Sequence, residues 1–420
     1  MKVYKFGGAS IKNAENIRNV VHILQSQADA PLLVVVSALG KTTNRLEELV
    51  RAFVENCPEK QALFDGIKQE HWQILCELMP ADTEVHAAEV LRQFALLESY
   101  LQREPGENFD FEYDQIVSFG EILSTKIVSA YLQYVGIDHE WMDARRLVCT
   151  DNHYREGLVD WKKTERKIQH HLQSHYPHGL DRLLLTQGFI AGTPEKFAVT
   201  LGREGSDYSA AIFAYALQAE SVTIWKDVEG LLNADPKLFP NAVRLSEIPY
   251  REAIELAYYG ASVIHPKTIK PLQNKSIPLY VKSFLHPEGE GSLIRQVDSF
   301  KAIPCYIWKK RQVLISIFSK DFSFIAEENL STIFALFAFF GVKINLMQNS
   351  AISFSVCVDD KDSIPQLIEE LQTEFAVRYN ENVELLSIRH YKEDSAAPFI
   401  EGRRVMMEQR SRSMLQMVLK

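Results

Sequence analysis

The stretch LGREGSDYSAAIFAYAL, Leu201 to Leu217, changes character part-way along. It opens as a polar loop carrying Gly202 and Gly205 and closes as an Ala-rich apolar run that reads as a packed helix. Asp207 stands at the change, where a helix N-cap is expected. Arg203, Ser206 and Asp207 therefore crowd a helix N-terminus, whose free N–H donors and positive dipole end suit an anion. An ordinary capped helix after a tight turn explains the same residues, so the rest of the chain decides.

Outward from this stretch, the pattern is strand alternating with helix. Val3 to Phe6 reads as a short strand, followed by Gly7-Gly8, Ala9-Ser10 and an amphipathic helix from Ala14 to Gln25. Strand, double glycine and helix let a backbone approach phosphate, because no Cβ obstructs the turn. Lys5 beside that turn is either a solvated charge or a phosphate clamp. Leu32 to Ser37 is a continuous apolar run typical of a buried parallel strand. It ends in a polar loop through Thr43, at the strand edge where α/β sheets bind ligands.

From Asn44 to Gln102 the chain is helix-rich, with Val85, Ala88, Leu91 and Phe94 at helical spacing and expected in the core. Ser118-Phe119-Gly120-Glu121 opens another helix, where Glu121 either favours the dipole or binds an ammonium group. Leu183 to Ile190, Ser221 to Lys226 and Leu279 to Lys282 read as further strands. Asp227 to Gly230 and Asn233 to Lys237 are acidic turns that suit a ribose, a base or a metal. The alternation implies a largely parallel α/β sheet.

Beyond Ile303 the order becomes β-α-β-β-α-β, the split ferredoxin-like arrangement. Its strands are Val313–Phe318, Lys343–Met347, Ser353–Val358 and Val383–Ile388, and its helices Ile325–Phe340 and Ser363–Phe375. The Phe-rich first helix reads as core. Residues 391–420 offer one loop and two short strands, Arg404–Met407 and Met414–Leu419.

With 420 residues, several domains are expected. The net charge of −9 does not favour nucleic acid or an anionic membrane as partner. The longest apolar run, Ile333 to Val342, is too short to span a bilayer. Five scattered cysteines without CxxC spacing, and an opening MKVYKFGG unlike a signal peptide, point to a cytoplasmic location. No metal-ligand spacing is visible.

Five motifs in order resemble those of the aspartokinases, of the amino acid kinase superfamily. Lys5-Phe6-Gly7-Gly8-Ala9-Ser10 is similar to the opening KFGGTS, Ser118 to Glu121 to S-x-G-E, and Leu201 to Asp207 to LGRGGSD. Asp227-Val228-x-Gly230 with Asp235-Pro236 resembles TDVxGxxxxDPR, and Tyr259 to Pro266 resembles FGAxVxHP. The resemblance covers nearly the whole chain. It implies an amino acid kinase-like sheet sandwiched by helices over 1–300, an ACT regulatory region over 301–390, and an abbreviated second ACT unit over 391–420.

The activity implied is transfer of the ATP γ-phosphoryl group to the β-carboxylate of L-aspartate, giving 4-phospho-L-aspartate, the first step towards lysine, threonine and methionine. Mg²⁺ would be held mainly by ATP. The resemblance assigns Lys5 and Asp207 to catalysis, and Gly7, Gly8, Ala9 and Ser10 to phosphate. Ser37, Thr43, Glu121, Arg203 and Ser206 would bind aspartate; Lys226, Asp227, Leu232, Lys237 and Ser262 fall at ATP positions. Phe324, Ile344, Asn345, Gln348 and Ser350 match effector positions for lysine or threonine, in a homodimer paired through ACT regions. Ala9, Glu204, Lys226, Leu232, Lys237 and Ser262 depart from the usual residues, which implies altered ATP affinity. Glu204 puts a carboxylate where the motif has glycine. Two alternatives stay open: a glutamate- or acetylglutamate-type kinase, and a catalytically silent amino-acid-binding regulator. At this length a fused homoserine dehydrogenase is not expected.

Overall fold

Five consecutive apolar residues, Leu32–Val36, form a strand in which every residue is buried. Side chains alternate along a strand. Val34 and Val36 therefore enter one core and Leu33 and Val35 the opposite face, as a strand covered on both sides requires. The computed structural model describes residues 1–27, 31–180, 182–261, 264–297, 300–321 and 323–420. Within them the chain forms two compact units. The first comprises Met1–Leu231, Arg244–Ile254 and Val263–Asp298; the second comprises Leu232–Val243, Glu255–Ser262 and Ser299–Lys420.

The first unit holds an eight-stranded sheet. Its strands are β1 (Lys2–Phe6), β2 (Leu32–Val36), β3 (His139–Met142), β4 (Leu183–Gln187), β7 (Ser221–Lys226), β8 (Glu247–Pro249), β9 (Leu279–Ser283) and β10 (Ser292–Arg295); β5 (Ile190–Gly192) and β6 (Ala198–Thr200) form a separate hairpin. The order is β3-β4-β2-β1-β7-β9-β10-β8, and only the β9–β10 pairing is antiparallel. β1 lies between β2 and β7, with Lys5 in register with Val35 and Ile224. The carboxyl ends of these three strands therefore open on one edge.

Two expectations need correction. The run Leu183–Ile190 is not one strand: β4 stops at Gln187 and the chain turns through Gly188 and Phe189, the latter at φ 64°. In the helical segment, Val85 and Leu91 are 75% and 41% exposed. A short helix, Thr83–His86, breaks at Ala87 before Ala88–Leu101 begins. The buried stripe is thus Ala87, Val90, Phe94, Leu97 and Leu101, in a different register of the same period.

The second unit holds a six-stranded sheet in the order β12-β13-β11-β14-β16-β15. These are β11 (Cys305–Ser319), β12 (Ile344–Asn349), β13 (Ser353–Asp359), β14 (Phe375–Arg389), β15 (Val405–Arg410) and β16 (Met414–Leu419). β11 and β14 are each 15 residues long and pair in two tracts separated by a register shift between Lys309 and Gln312. One tract joins β12, β13 and the helices Glu327–Phe339 and Ile364–Glu374 into the βαββαβ unit. The other pairs with β16, which carries β15. The Phe-rich helix is only partly core: Ile333 and Phe337 are buried, while Phe334 and Phe339 are 42% and 82% exposed. Among the described residues no helix is long and apolar enough to cross a membrane.

Candidate active site

Lys5 is the penultimate residue of β1, and the two glycines after β1 set its surroundings. A Cβ on Gly7 would lie 3.3 Å from the Lys5 ammonium. A Cβ on Gly8 would meet the carbonyl oxygens of Gly40 and Ala38 at 2.8 and 2.9 Å. Only glycine allows that approach, and the Gly40 N–H donates to the Gly8 carbonyl at 3.1 Å. Gly8 lines the cleft beyond the strand ends, whereas Gly7, Ala9 and Ser10 do not. Ser10 is buried and donates to the Trp225 carbonyl at 3.4 Å, tying the glycine turn to β7.

Asp207 faces Lys5 from the helix Gly205–Leu217. It is not the cap: it is the third residue of the first turn, and the cap position is Glu204, in the left-handed conformation at φ 54°. The Asp207 and Tyr208 N–H groups both donate to the Glu204 carbonyl, at 3.1 and 3.2 Å, so the helix starts earlier than residue type suggests. Asp207 Oδ1 lies 2.6 Å from Lys5 Nζ and Oδ2 lies 3.4 Å from Lys226 Nζ. Burial pushes this carboxyl's pKa up, but the two lysine charges outweigh it and hold it below the usual carboxylate range.

The cleft has a volume of about 760 Å³ and brings together Lys5, Gly8, Ser37, Thr43, Glu121, Arg203, Ser206, Asp207 and Lys226. Ser37 follows β2, and Thr43 is in the first turn of the helix Thr42–Val54. Ser206 is in the first turn of its own helix, packed where a Cβ on Gly188 would come within 2.5 Å of it. Arg203 is exposed at the rim. Glu121, in the first turn of Phe119–Tyr134, is 2% exposed. Its Oε1 accepts from the Ala38 N–H at 3.3 Å, while Oε2 is buried without a hydrogen-bond partner among the described residues. Burial pushes its pKa up to about 8, against the opposing pull of the Ala38 N–H and Lys5.

Glu204 lines the cleft, with one oxygen of its carboxylate engaged. Its Oε2 accepts from the His265 N–H at 2.9 Å, at the start of the helix Pro266–Asn274.

One wall of the cleft, formed by Asp110, Tyr113, Arg155 and Thr200 with Asp114 behind it, escaped the sequence reading. Asp114, buried in the helix Phe109–Val117, accepts from the Arg155 N–H at 2.8 Å and from the Thr200 hydroxyl at 2.7 Å. Burial raises its pKa to about 6, and these donors lower it in part. Arg155 sits at φ 69° with its guanidinium 4.4 Å from the Tyr113 ring centroid and 3.3 Å from Asp110. Tyr113 in turn donates to Glu47 at 2.6 Å. The available signal was a polar loop, Asp151 to Gly157, and an acid on the apolar face of a helix.

The segment 1–283 matches the amino acid kinase family. Aspartokinase 3 of Arabidopsis thaliana, a chloroplastic protein, is 30% identical over 393 residues, covering 88% of this chain and 68% of its own length. The chain belongs to the aspartokinases of the amino acid kinase family. The bifunctional aspartokinase/homoserine dehydrogenase 2 of Arabidopsis thaliana is 30% identical over 302 residues, 70% of this chain; the match spans 32% of that protein. Among solved structures, aspartokinase III of E. coli with aspartate and ADP superposes with TM-score 0.83 and 26% identity, covering 100% of this chain and 96% of that one. The same enzyme with lysine and aspartate gives 0.84.

The remaining residues matched to aspartokinase positions are more scattered. Asp227 is exposed and does not line the cleft. Leu232 and Lys237 fall in the second unit, Lys237 donating its N–H to Asp235 at 2.9 Å, and Ser262 lies outside the described residues. At the effector positions, Asn345 is already engaged. It accepts from Lys309 at 2.9 Å and donates to Gln312 and Asp359 at 2.8 and 2.9 Å. Phe324, Gln348 and Ser350 are exposed, and Ile344 is partly buried at the start of β12.

Proposed function

We propose that this chain transfers the γ-phosphoryl group of ATP to the β-carboxylate of L-aspartate, giving 4-phospho-L-aspartate and ADP. The observation that carries this reading is the Lys5–Asp207–Lys226 cluster, its first two members buried, sharing a cleft with a Glu121 oxygen that has no hydrogen-bond partner among the described residues. Aspartokinase III of E. coli, similar over the whole chain, forms a complex with aspartate and ADP, which supports the same ligands here.

The nucleophile is already a carboxylate, so no strong base is needed; the task is to bring two anions together. Lys5 and the Ser206 N–H at the helix start meet charge as it moves from the attacking oxygen to the leaving oxygen. Asp207 holds both lysine ammonium groups over the cleft. Arg203 takes the α-carboxylate as a bidentate pair, Glu121 the α-ammonium, and Ser37 and Thr43 the flanking polar groups. Mg²⁺ fits as an ion held mainly by ATP, since both oxygens of Asp207 already face lysines; it would neutralise phosphate charge. Lys226 and Asp227 are assigned to the nucleotide side, with Leu232, Lys237 and Ser262 following by family resemblance. Cytoplasmic location, lysine or threonine feedback and a homodimer belong to the same reading.

Hydroxylamine trapping tests it. Aspartate with ATP should give a hydroxamate that glutamate and N-acetylglutamate do not. Background ATPase alone would leave the silent-regulator reading standing. Arg203→Ala should raise the aspartate KM by roughly 100-fold, with little change in the ATP KM, because one bidentate charge-assisted pair is lost. Equal loss for both substrates would reassign Arg203.

A further inference from the structure

Away from the cleft, the helix Trp161–His175 carries two histidines one turn apart at its C-terminal end, His171 and His175. Spacing i, i+4 puts both on one helix face. Glu140 of β3, the outermost strand of the sheet, meets them. One ring nitrogen of each histidine and a carboxylate oxygen of Glu140 lie within 4.8 Å of one another. None of the three lines the substrate cleft.

We propose that Glu140, His171 and His175 form a site for a divalent transition metal of the zinc class. The donor set, two imidazoles and one carboxylate, suits zinc, with a fourth position left to water. Donors around a tetrahedral zinc lie roughly 3.4 Å apart, given bonds of about 2.1 Å. The longer separations, bounded by 4.8 Å, therefore need to close by about an ångström, while His171 Nε2 and Glu140, 2.9 Å apart, need to open by about half as much to admit the ion.

The supporting contacts are those a metal site uses to orient its ligands. His175 Nδ1 lies 2.8 Å from the His171 carbonyl, which holds the proton there and leaves Nε2 as a lone-pair donor. The Tyr176 hydroxyl donates to the second oxygen of Glu140. His171 Nε2 lies 2.9 Å from the first oxygen, so metal binding replaces the proton between them. The bound ion ties the last turn of the helix to the sheet's outer strand.

Titration of the full chain with Zn²⁺, and with Co²⁺ as a visible probe, tests this. The expected result is one equivalent retained on desalting, a four-coordinate cobalt spectrum, and a melting temperature that rises with zinc concentration. His171→Ala and His175→Ala should each abolish all three. His178→Ala, in the same histidine-rich tract, should change none. His175 is exposed, so its loss does not depend on a folding defect. Retention of cobalt by the His175→Ala variant, a six-coordinate spectrum, or equal loss on His178→Ala would each overturn the site.

Discussion

Glu121 is a carboxylic acid in a place that opposes its ionisation. Its pKa of about 8 in the fold, against an ordinary value of 4.5, means that the native state keeps a proton the unfolded chain has lost. Its contribution to stability is therefore neutral below about pH 4.5 and falls as pH rises towards 8. An arriving ammonium reverses the preference, so binding aspartate releases a proton. The aspartate KM of the wild type should fall as pH rises from 6 to 9, while Glu121→Gln should show a high KM that no longer varies over that range. A parallel pH profile in the variant would remove Glu121 from the ammonium site. Glu204 poses a second residue-scale question. Its left-handed backbone costs about 1 kcal/mol relative to glycine, and its bond to the His265 N–H returns a similar amount. Glu204→Gly should leave the melting temperature within a few degrees and kcat nearly unchanged. A large gain in kcat would show that its charge does repel the phosphate.

At the level of elements, the sequence was most informative where one segment supplies a whole feature. The β1–glycine turn, the fully apolar β2 and the alternation of strands and helices were all legible, because each is a local pattern. Motifs marked Lys5, Glu121, Arg203 and Asp207, which the fold brings to one cleft. Arg155 and Asp114 were not, because their bond joins residues 41 apart, and no periodicity encodes it. The register of the Ala88–Leu101 helix was misread for a related reason. The apolar spacing ran across the break at Ala87, and burial against neighbouring helices picks the stripe. Gly188 is the junction where such packing meets chemistry. A Cβ there would lie 2.5 Å from Ser206 Cβ and 2.8 Å from its Cα, so the N-terminus of the Gly205 helix has to move. Gly188→Ala should lower kcat/KM by roughly 100-fold, the cost of about an ångström of misplacement, with the far-ultraviolet dichroism retained. Wild-type activity in this variant would mean that the helix start does not position the reacting groups.

At the scale of the molecule, the second unit shows why residues 391–420 do not behave as a tail. The βαββαβ order was readable, but the 15-residue lengths of β11 and β14 were not, because the second half of β14 is held between β16 and the first half of β11, far from the βαββαβ unit's other strands. Leu386 and Ile388 of β14 share a core with Leu415, Met417 and Leu419, closed by Tyr306, Trp308 and Phe399. Phe399, in a helix of one turn, packs edge-on to Trp308 and against Tyr306, doing with one ring what a longer helix does elsewhere. A chain ending at residue 390 loses that cover and exposes a sheet face with an unpaired β14 edge, a template for aggregation. It should bind a hydrophobic dye and elute as large species in size exclusion. Met417→Asp, which buries one unpaired charge in the same core, should lower stability by about 3 kcal/mol or more without shortening the chain. A truncated chain that stays monodisperse, or a Met417→Asp protein that melts like the wild type, would mean that the long strands hold their second tract without β16.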